Sequence, residues 1–534
     1  MSTASILAVA LLAGCGSAGA GTGGPEEGDG TLPNYVPLTF AEPDVPGING
    51  APDGYTQLPA EFERQFPEAP GSGGTYTAMT PLWGAVPKTD GNQYLESVNE
   101  AMGTTIDFQI TDGTTYGDKL AAVLADQSNI PDWVSIPTWN FPPRFGQAVG
   151  TLFEDLTPFL AGDAVAAYPN LANIPTDAWR SCSWNGKVYG IPFPAAAGQR
   201  NAAFYRSDLL PDAELPTTAE EMLEFVEENH ADGHWGSNDL WIFATAMFGV
   251  PSKWKVVDGE LVHRVETQEY RDALQWMADL YATGAVHPDA VADNAADGKQ
   301  RFESGDVVIT ADGVGAWHEA LSKMRPADPE WDMAALPYFA AAGGDPVLYK
   351  SDAASMCSYL KATDDDAQIE ELLDAANFLA APFGTEENMT ITNGVEGVHY
   401  ELDQNNAPVK TDLGRTEVQP TFMFLVAPPE IVADPEKPDY VEARVKWQNE
   451  TTLHEVEEPF YGMRVTEPNQ FASLDQPFAD LEKDIARGRK NMEDLDSAIE
   501  TWRTSGGEEL RTLYQEILDG EADEIADESA EVDE

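Results

Sequence analysis

Tryptophans at the ends of predicted strands are the residues of this sequence that best suit a chemical role. Trp83 in "TPLWG", Trp139 in "PTWN" and Trp317 in "GVGAW" each follow a strand-like run, and Asn140 follows Trp139. Open α/β sheets bind ligands beyond the carboxyl ends of their strands. An indole there could stack on the C–H face of a sugar, while Asp, Asn, Glu or Arg bind the hydroxyls. Trp241 in "NDLWIFATAMFG" is a weaker candidate, because helix-core packing explains it equally well.

Catalytic motifs are absent from the sequence: there is no HExxH, GxSxG, P-loop or GxGxxG. His230 and His234 in "HADGH" have the spacing of zinc ligands, but Gly233 between them disfavours a helix. Carboxylate pairs occur by chance among 92 Asp and Glu residues, so their number does not identify a glycosidase. We therefore predict a protein that is not an enzyme, with no catalytic residue, no metal and no cofactor.

The formal net charge is −62, from 92 acidic and 30 basic residues. This balance argues against binding to nucleic acid or to an anionic membrane surface, since both need a basic partner. It also disfavours a strongly anionic ligand unless the binding cleft supplies local Arg or Lys. Solubility at high salt and a lineage habit remain two open explanations for the acidity.

Strand and helix patterns alternate from residue 74 onward. The segments "GTYTAMTP", "TTIDFQI" and "DWVSIP" predict strands, and "NQYLESVNEAM" and "GDKLAAVLADQ" between them predict amphipathic helices. This order predicts right-handed βαβ units and a parallel sheet. Further helices are predicted in "TTAEEMLEFVEEN", where Thr218 and Glu221 have capping-box spacing, in "TQEYRDALQWMADLYATG", and in "GEELRTLYQEIL".

The two ends of the chain differ in composition from its middle. Residues 1–14 contain an apolar run of signal-peptide length, and "LAGC" ending at Cys15 is similar to a bacterial lipobox. We expect Cys15 to be acylated and residues 15–73 to form a flexible, loosely packed tether. An ordinary cleaved signal is the alternative, because no Lys or Arg precedes the apolar run. Residues 521–534 predict a disordered acidic tail.

Chain length and cysteine content give expectations for the number of lobes and for covalent links in the core. A chain of 534 residues exceeds what one hydrophobic core usually holds, so we expect two lobes. Besides Cys15, only Cys182 and Cys357 are present. They could pair outside the cell. Buried free thiols are the favoured expectation, because a core of this size needs no covalent link.

Five segments carry a family resemblance through their order along the chain. They are "NGKVYGIPFPAAAGQRNAAFYRSDLL", "RDALQWMADLYATGAVHPDAV", "RFESGDVVITADGVGAW", "APFGTEENMTITNGVEGVHYELDQNNAPV" and "GGEELRTLYQEIL". Together they resemble the type-1 extracellular solute-binding proteins of ABC importers, most closely the LipO-like, oligosaccharide-directed branch. Each motif alone is weak, and the resemblance covers about residues 74–520.

The resemblance implies an α/β, two-lobed periplasmic-binding-protein-like fold of type II topology with an interlobe ligand cleft. It assigns residues 74–198 and 352–405 to the first lobe. It assigns residues 199–351 and 406–520 to the second. The chain would cross between the lobes near residues 190–205 and 347–359.

The resemblance also implies a function: the lipid-anchored substrate-binding subunit of an ABC importer, on the outer face of the cytoplasmic membrane. Its expected partners are a carbohydrate, which it captures by lobe closure, and the permease subunits. The protein itself would be a monomer that contacts the membrane only through its lipid. By family pattern, Arg200 and Asn201 face the cleft, and Glu396 and Tyr400 belong to the site. A hinge hydrogen bond for the first pair and interlobe packing for the second are the structural alternatives.

Other functions stay open from the sequence. A secreted polysaccharide-degrading enzyme on a two-lobed frame, a surface adhesion module, and a binding protein for a non-sugar solute such as a peptide are the alternatives. The sugar, its chain length and its linkage are not determined by the sequence.

Overall fold

Two separate β-sheets, each flanked by helices, organise the chain into two lobes. The computed structural model describes residues 30–520 apart from residues 143, 199, 232, 293–296, 404–406, 466 and 472. The predicted signal peptide, Cys15 and the predicted acidic tail therefore lie outside the described residues.

In the described chain, the strands outside the two main sheets are two to four residues long. They are β1 (Gly54–Tyr55), β2 (Thr75–Leu82), β3 (Thr105–Asp112), β4 (Trp133–Pro137), β5 (Ser183–Trp184), β6 (Lys187–Val188), β7 (Gly190–Pro194), β8 (Asn201–Tyr205), β9 (Trp235–Ser237), β10 (Trp254–Val257), β11 (Glu260–His263), β12 (Val307–Gly313), β13 (Ala334–Ala335), β14 (Leu348–Tyr349), β15 (Ala354–Leu360), β16 (Tyr400–Leu402), β17 (Pro408–Lys410), β18 (Val432–Ala433) and β19 (Glu455–Val456).

Helices cover both faces of the sheets. They are α1 (Gln93–Met102), α2 (Tyr116–Leu124), α3 (Phe145–Leu152), α4 (Thr157–Leu160), α5 (Pro169–Ala172), α6 (Thr176–Ser181), α7 (Ala219–Glu228), α8 (Trp241–Met247), α9 (Gln268–Ala282), α10 (Pro288–Val291), α11 (Gly298–Ser304), α12 (Gly315–Met324), α13 (Asp366–Leu379), α14 (Glu386–Asn393), α15 (Asp412–Glu417), α16 (Pro438–Thr452), α17 (Gln476–Ala486), α18 (Met492–Trp502) and α19 (Glu508–Leu518).

The first sheet has the strand order β3-β2-β4-β15-β7. Strand β2 pairs in parallel with β3 and β4, which confirms the parallel sheet predicted from the alternating pattern. Strand β15 lies antiparallel between β4 and β7, although it comes from much later in the chain. A late strand inserted antiparallel into an otherwise parallel sheet is the arrangement that type II topology implies.

Helix α1 illustrates why the sequence forms these elements. Its N-cap Asn92 accepts a hydrogen bond from the Leu95 N–H, which satisfies one of the free donors of the first turn. The predicted apolar face is buried, and Tyr94 and Val98 are fully covered. Gly103 ends the helix in the left-handed conformation, at φ 74°, which costs glycine little.

The second sheet has the strand order β13-β8-β12-β9. Strand β12 pairs antiparallel with β8 and in parallel with β9. Residues 195–200 lead from β7 in the first sheet to β8 in the second, and residues 336–353 lead back from β13 to β15. We call these two connections the first and second crossings, and the region around them the hinge.

A third connection between the lobes lies later than the sequence predicted. The ring of Phe422 packs 5.9 Å from Tyr94 and 4.8 Å from Phe108, and Val426 belongs to the same first-lobe core. Val432 is the first later residue in the second-lobe core. The predicted change of lobe at residue 406 therefore falls too early, because residues 418–426 pack with the first lobe. The other predicted lobe boundaries stay predictions.

Residues 30–73 do not form the loosely packed tether that was predicted for them. Their backbone runs over both lobes; the Val36 N–H donates to the Ala172 carbonyl at 2.7 Å, and β1 pairs with β18. The segment has little periodicity because it is held by extended backbone hydrogen bonds and a few apolar anchors rather than by an amphipathic face. We call residues 30–73 the strap.

The expectation of two free thiols is also wrong, since Cys182 and Cys357 form a disulfide. Cys182 caps the end of α6 and Cys357 lies on β15, and both are fully buried. Their separation of 175 residues hides the pairing in the sequence. The bond links a first-lobe helix to the inserted strand.

No helix in the described part of the chain is long and apolar enough to cross a bilayer.

Candidate ligand-binding site

Two of the four candidate tryptophans lie together at the carboxyl edge of the first sheet. Trp83 directly follows β2, and Trp139 lies in a turn that directly follows β4. Their ring centroids are 5.8 Å apart, and they are 47% and 64% exposed. Because β2 and β4 are neighbouring parallel strands, the sequence rule about strand ends places these side chains side by side.

Two further aromatic rings extend this surface. Phe424 packs edge-on against Trp83 at 5.8 Å, and Phe193 lies 6.1 Å from Phe424. We call Trp83, Trp139, Phe193 and Phe424 the aromatic platform. Exposure of clustered apolar rings to water is unfavourable. A patch of this kind at the end of strands therefore typically marks a binding surface.

Glycine and a tight turn hold Trp83 in place. A Cβ atom on Gly113 would lie 2.4 Å from the indole, so that position leaves room for no larger residue. The adjacent turn is closed by Asp112, whose carboxylate accepts hydrogen bonds from the Thr114 N–H at 2.8 Å and its hydroxyl at 2.5 Å. These hydrogen bonds lower the pKa of Asp112, which ends β3 at the same edge of the sheet.

Asn140 lies beside the platform but packs inward. Its side-chain nitrogen would be 2.8 Å from a Cβ atom on Gly117, and its Oδ1 is buried without a hydrogen-bond partner among the described residues. The side chain is half-buried, so it flanks Trp139 rather than presenting a free amide.

A cavity of about 500 Å³ lies in the second lobe at the carboxyl ends of β9 and β12. Trp241 lines it, half-buried, with its ring 5.9 Å from Tyr270. Asp239 caps α8 by accepting from the Trp241 N–H at 2.9 Å, and it also accepts from the Tyr281 hydroxyl at 2.7 Å. Asp312, at the end of β12, also lines the cavity.

Asn238 is the buried polar centre of this cavity. Its amide donates to the Gly298 carbonyl at 2.9 Å and to the Thr310 hydroxyl at 3.1 Å, and its Oδ1 accepts from the Arg301 Nε at 3.2 Å. These contacts fix the Asn238 side chain and hold the Arg301 guanidinium at the cavity wall.

The cavity wall is richer in cations than the chain as a whole. Of the 30 basic residues of the chain, four line the cavity, together with three acidic residues. They are Lys299, Arg301, Lys483, Arg487, Asp239, Asp312 and Glu482. The net −62 charge of the chain is therefore not repeated here. The lining carries one more cation than anion, and two of its cations also pair with acids outside it, Lys299 with Glu319 and Arg301 with Asp289.

Arg200 and Asn201 line a separate cavity of about 250 Å³ at the first crossing. The Arg200 guanidinium donates to the Tyr349 carbonyl, lies 3.6 Å from the Glu455 carboxylate and stacks over Tyr338. Burial raises the pKa of Glu455, and Arg200 opposes that shift. Arg200 thus joins the first crossing to the second, as expected for the structural alternative of a hinge hydrogen bond. Asn201 is exposed.

Trp317 is a correction to the sequence prediction. It is only 4% exposed and packs against Phe204 at 5.8 Å and Tyr440 at 5.7 Å in the second-lobe core. Helix α12 begins at Gly315, immediately after β12, so Trp317 lies on its first turn instead of in a loop. A buried indole has no face free for a ligand.

Glu396 and Tyr400 lie at the start of the β16–β17 pair, where an isolated bridge joins them. Tyr400 begins the β16–β17 hairpin and is 7% exposed, while Glu396 is exposed beside it. The neighbouring His399 packs on Tyr94 of α1. Among the described residues, no ring contact, hydrogen bond or ion pair joins either of them to the tryptophan pair.

Several residues of these surfaces were missed from the sequence. Phe193 and Phe424 come together with Trp83 only through the fold, since Phe424 lies in the segment that returns late to the first lobe. Asp312 could have been found, because it lies at the end of the predicted strand in "VVITADG" and follows the same strand-end rule as Trp83.

Comparison with known proteins decides the family. The sequence profile of the family described as "Bacterial extracellular solute-binding protein" matches residues 93–405. This chain belongs to that family. The matched range includes the first crossing, β15 and most strands of both sheets. The family match of this solute-binding protein therefore covers elements of both lobes.

Two curated relatives come from Bacillus subtilis (strain 168). Lipoprotein LipO is 24% identical over 483 residues, covering 84% of this chain and 93% of LipO. The polygalacturonan/rhamnogalacturonan-binding protein YtcQ is 21% identical over 454 residues, covering 79% of this chain and 87% of YtcQ.

Solved structures support the fold at low sequence identity. The alginate-binding protein AlgQ2 without calcium ion matches with TM-score 0.60 and 14% identity, covering 85% of this chain and 99% of AlgQ2. An HMO-binding, ABC-transporter-associated solute-binding protein from Bifidobacterium longum infantis matches with TM-score 0.61 and 15% identity, covering 84% and 99%. The predicted two-lobed, periplasmic-binding-protein-like fold class is confirmed.

Proposed function

We propose that this solute-binding protein is the lipid-anchored substrate-binding subunit of an ABC importer, and that it captures an oligosaccharide. The aromatic platform carries this proposal. Two exposed indoles 5.8 Å apart at the edge of a ligand-binding sheet suit stacking on consecutive sugar rings better than they suit a small ion or an amino acid.

The two lobes would contribute different chemistry. The first lobe offers flat apolar rings, while the second offers the carboxylates of Asp239 and Asp312 and the charged wall around Arg301. A ligand held by both lobes makes its full set of contacts only when the lobes close, so binding shifts the population toward the closed form. That closed form would be what the permease recognises.

The cations that line the second-lobe cavity refine the proposed ligand class. The four cations of the cavity suit a sugar that carries carboxylate groups as well as hydroxyls. The relative YtcQ is named for binding polygalacturonan and rhamnogalacturonan, and AlgQ2 for binding alginate. An acidic oligosaccharide therefore belongs in any ligand panel.

We propose no catalytic step for this protein. The family is described by solute binding, and the proposed site consists of rings and hydrogen-bonding groups. Tests for new reducing ends or unsaturated products on oligosaccharides should detect no turnover. Steady product formation that depends on the protein would favour the polysaccharide-degrading alternative.

Isothermal titration with a panel of neutral oligosaccharides, acidic oligosaccharides and short peptides tests the ligand class. We expect saturable binding of at least one oligosaccharide, with no comparable binding of the peptides. Binding of peptides alone would contradict the proposal.

Lipid anchoring rests on Cys15 in "LAGC" and is tested in cells. Cys15→Ser should release the protein from the membrane fraction, whereas a control Ser17→Ala should leave it bound. A Cys15→Ser protein that stays with the membrane would contradict lipidation at this residue.

A further inference from the structure

The strap begins on the first lobe. The Gly162 N–H donates to the Leu32 carbonyl at 2.9 Å, and Leu32 packs against the first-lobe core. Further along, the Leu38 N–H donates to the Asn173 side chain at 2.7 Å, and Phe40 lies directly against Gly384. Residues 32–40 are therefore fixed to the first lobe.

The middle of the strap is fixed to the second lobe, although Tyr55 of β1 also packs on the first-lobe ring of Phe383 at 4.3 Å. Strand β1 pairs with β18, and Val45 packs against the second-lobe core. Asn449 of α16 clamps the intervening loop, because its Oδ1 accepts from the Ile48 N–H at 2.9 Å and its Nδ2 donates to the Pro46 carbonyl at 3.0 Å.

The last part of the strap returns to the first lobe. The Glu63 N–H donates to the Gly384 carbonyl at 3.0 Å, and the ring of Phe66 lies 5.4 Å from Phe378. Near its end, the strap is bound by the buried Glu371 carboxylate, which accepts from the Ser72 N–H at 3.1 Å and from the Ser72 hydroxyl at 2.6 Å.

The strap also touches the hinge between its anchors. The Ala197 N–H of the first crossing donates to the Gly50 carbonyl at 2.9 Å. A cavity of about 370 Å³ lies between the strap and the two crossings, so the strap does not pack tightly against the hinge along its whole length. The cavity therefore leaves space for the strap and the crossings to move relative to each other beside the Ala197–Gly50 hydrogen bond.

We propose that the strap is a mechanical restraint that limits how far the two lobes open. Two short arms, residues 41–43 and 57–62, join its first-lobe anchors to its second-lobe anchors. Fully extended, the chain spans at most about 14 Å from Phe40 to Asp44 and about 25 Å from Thr56 to Glu63. Wider opening must break an anchor, so the strap adds two limits to those set by the three connections between the lobes.

The restraint has a consequence for binding. A narrower range of open conformations loses less conformational entropy when the lobes close, which strengthens ligand binding without adding a contact to the ligand. The strap would therefore raise affinity through its restraint on the lobes.

Lengthening both arms tests the restraint directly. Four Gly/Ser residues are inserted between Glu42 and Pro43 and four between Ala60 and Glu61. Glu42, Ala60 and Glu61 are exposed and Pro43 is half-buried, and neither insertion falls within an anchor. Each insertion adds up to about 13 Å of reach. The matched control carries the same insertions in two turns that each lie within one lobe, after Asn185 and after Asp258.

Interlobe distances are measured on the ligand-free protein by double electron–electron resonance. Spin labels are placed at Glu96→Cys on α1 and Glu224→Cys on α7, in a Cys15→Ser background. We expect the lengthened strap to broaden the distribution and to increase its mean by about 3–10 Å, within the added reach. The control should match the unmodified strap. An unchanged or shorter mean distance would overturn the proposal, and because no ligand is used, that result is independent of the proposed function.

A second variant keeps the test decisive if the insertions prevent folding. Asn449→Ala removes the clamp on the strap loop, and Asn229→Ala, which removes one helix-end hydrogen bond in the same lobe, is its control. Only Asn449→Ala should broaden the interlobe distances. Equal distributions for the two variants would overturn the restraint.

Discussion

The indole of Trp83 occupies the space that a side chain on Gly113 would fill, with only 2.4 Å between the ring and a Cβ atom placed there. Gly113 has no left-handed backbone conformation, so this contact is what restricts the position to glycine. The contact joins the turn after β3 to the indole of Trp83 after β2, and it fixes the position of Trp83 beside Trp139.

Gly113→Ala should therefore displace Trp83 and weaken oligosaccharide binding by about tenfold or more, since about 1.4 kcal/mol of binding free energy corresponds to tenfold. The matched control is Gly84→Ala, because a Cβ atom there meets nothing within 4 Å. Titration calorimetry on both variants checks the prediction. Equal affinities for the two would mean that the position of Trp83 does not matter for binding.

Glu371 should be a major stabilising residue at the strap's end. Burial alone would raise its pKa, but hydrogen bonds from Ser72, Gly74, Thr104 and Tyr76 outweigh this and lower the pKa. A lowered folded-state pKa gives stability that is present above the ordinary Glu pKa and is lost as the pH falls through the folded-state value. Glu371→Gln should cost about 3 kcal/mol at neutral pH.

The control for that prediction is the adjacent, exposed Glu370→Gln, which should change stability little. Denaturant unfolding between pH 3 and pH 7 compares the three proteins. If Glu371→Gln and Glu370→Gln unfold alike, the hydrogen-bond network does not stabilise the fold.

His263 should make the second lobe sensitive to mild acid. The ring is fully buried between Trp254 and Trp502, and burial, with smaller contributions from Lys253, Arg264 and Arg511, lowers its pKa to about 3. Between that value and 6.5 the unfolded chain binds a proton that the folded chain does not. This group should therefore lower the free energy of unfolding by about 1.4 kcal/mol per pH unit as the pH falls through that window.

His263→Phe removes the titration while keeping an aromatic ring in the stack. The difference in unfolding free energy between it and the unsubstituted protein should depend on pH below 6.5 with this slope. A difference that stays constant from pH 4 to pH 7 would contradict the assignment.

Salt should stabilise this protein. With a formal charge of −62, self-repulsion weakens the compact state in dilute buffer, and the screening length shrinks from about 30 Å at 0.01 M to about 3 Å at 1 M. The melting temperature should therefore rise between those salt concentrations. A flat or falling curve in calorimetric scans would leave the acidity as a lineage habit without a stability role.

Local patterns in the sequence were sufficient to predict the first βαβα unit and its exposed rings. The apolar alternation of β2 and the face of α1 are local signals, and Trp83 follows from the rule that ligands meet strand ends. Trp139 follows in the same way from β4. These predictions hold because each depends on neighbours close in the chain.

Features that depend on distant residues were missed. The antiparallel insertion of β15, the disulfide between Cys182 and Cys357, and the packing of Phe424 on Trp83 join residues far apart in sequence. Trp317 was misplaced for a different reason: α12 begins at Gly315 and buries Trp317 in its first turn, and no local pattern distinguishes that from an exposed loop.

The central claim is that the exposed tryptophan pair binds the ligand, and paired measurements on single Trp→Ala variants test it most directly. Trp83→Ala and Trp139→Ala should each weaken oligosaccharide binding by about 2 kcal/mol, roughly thirtyfold, because truncated aromatic hot spots cost that much. Their melting should change little, since both rings are largely exposed. Trp317→Ala should instead destabilise the fold by about 3–5 kcal/mol and leave the affinity of the folded protein unchanged. Unchanged affinity in both Trp83→Ala and Trp139→Ala would contradict the account.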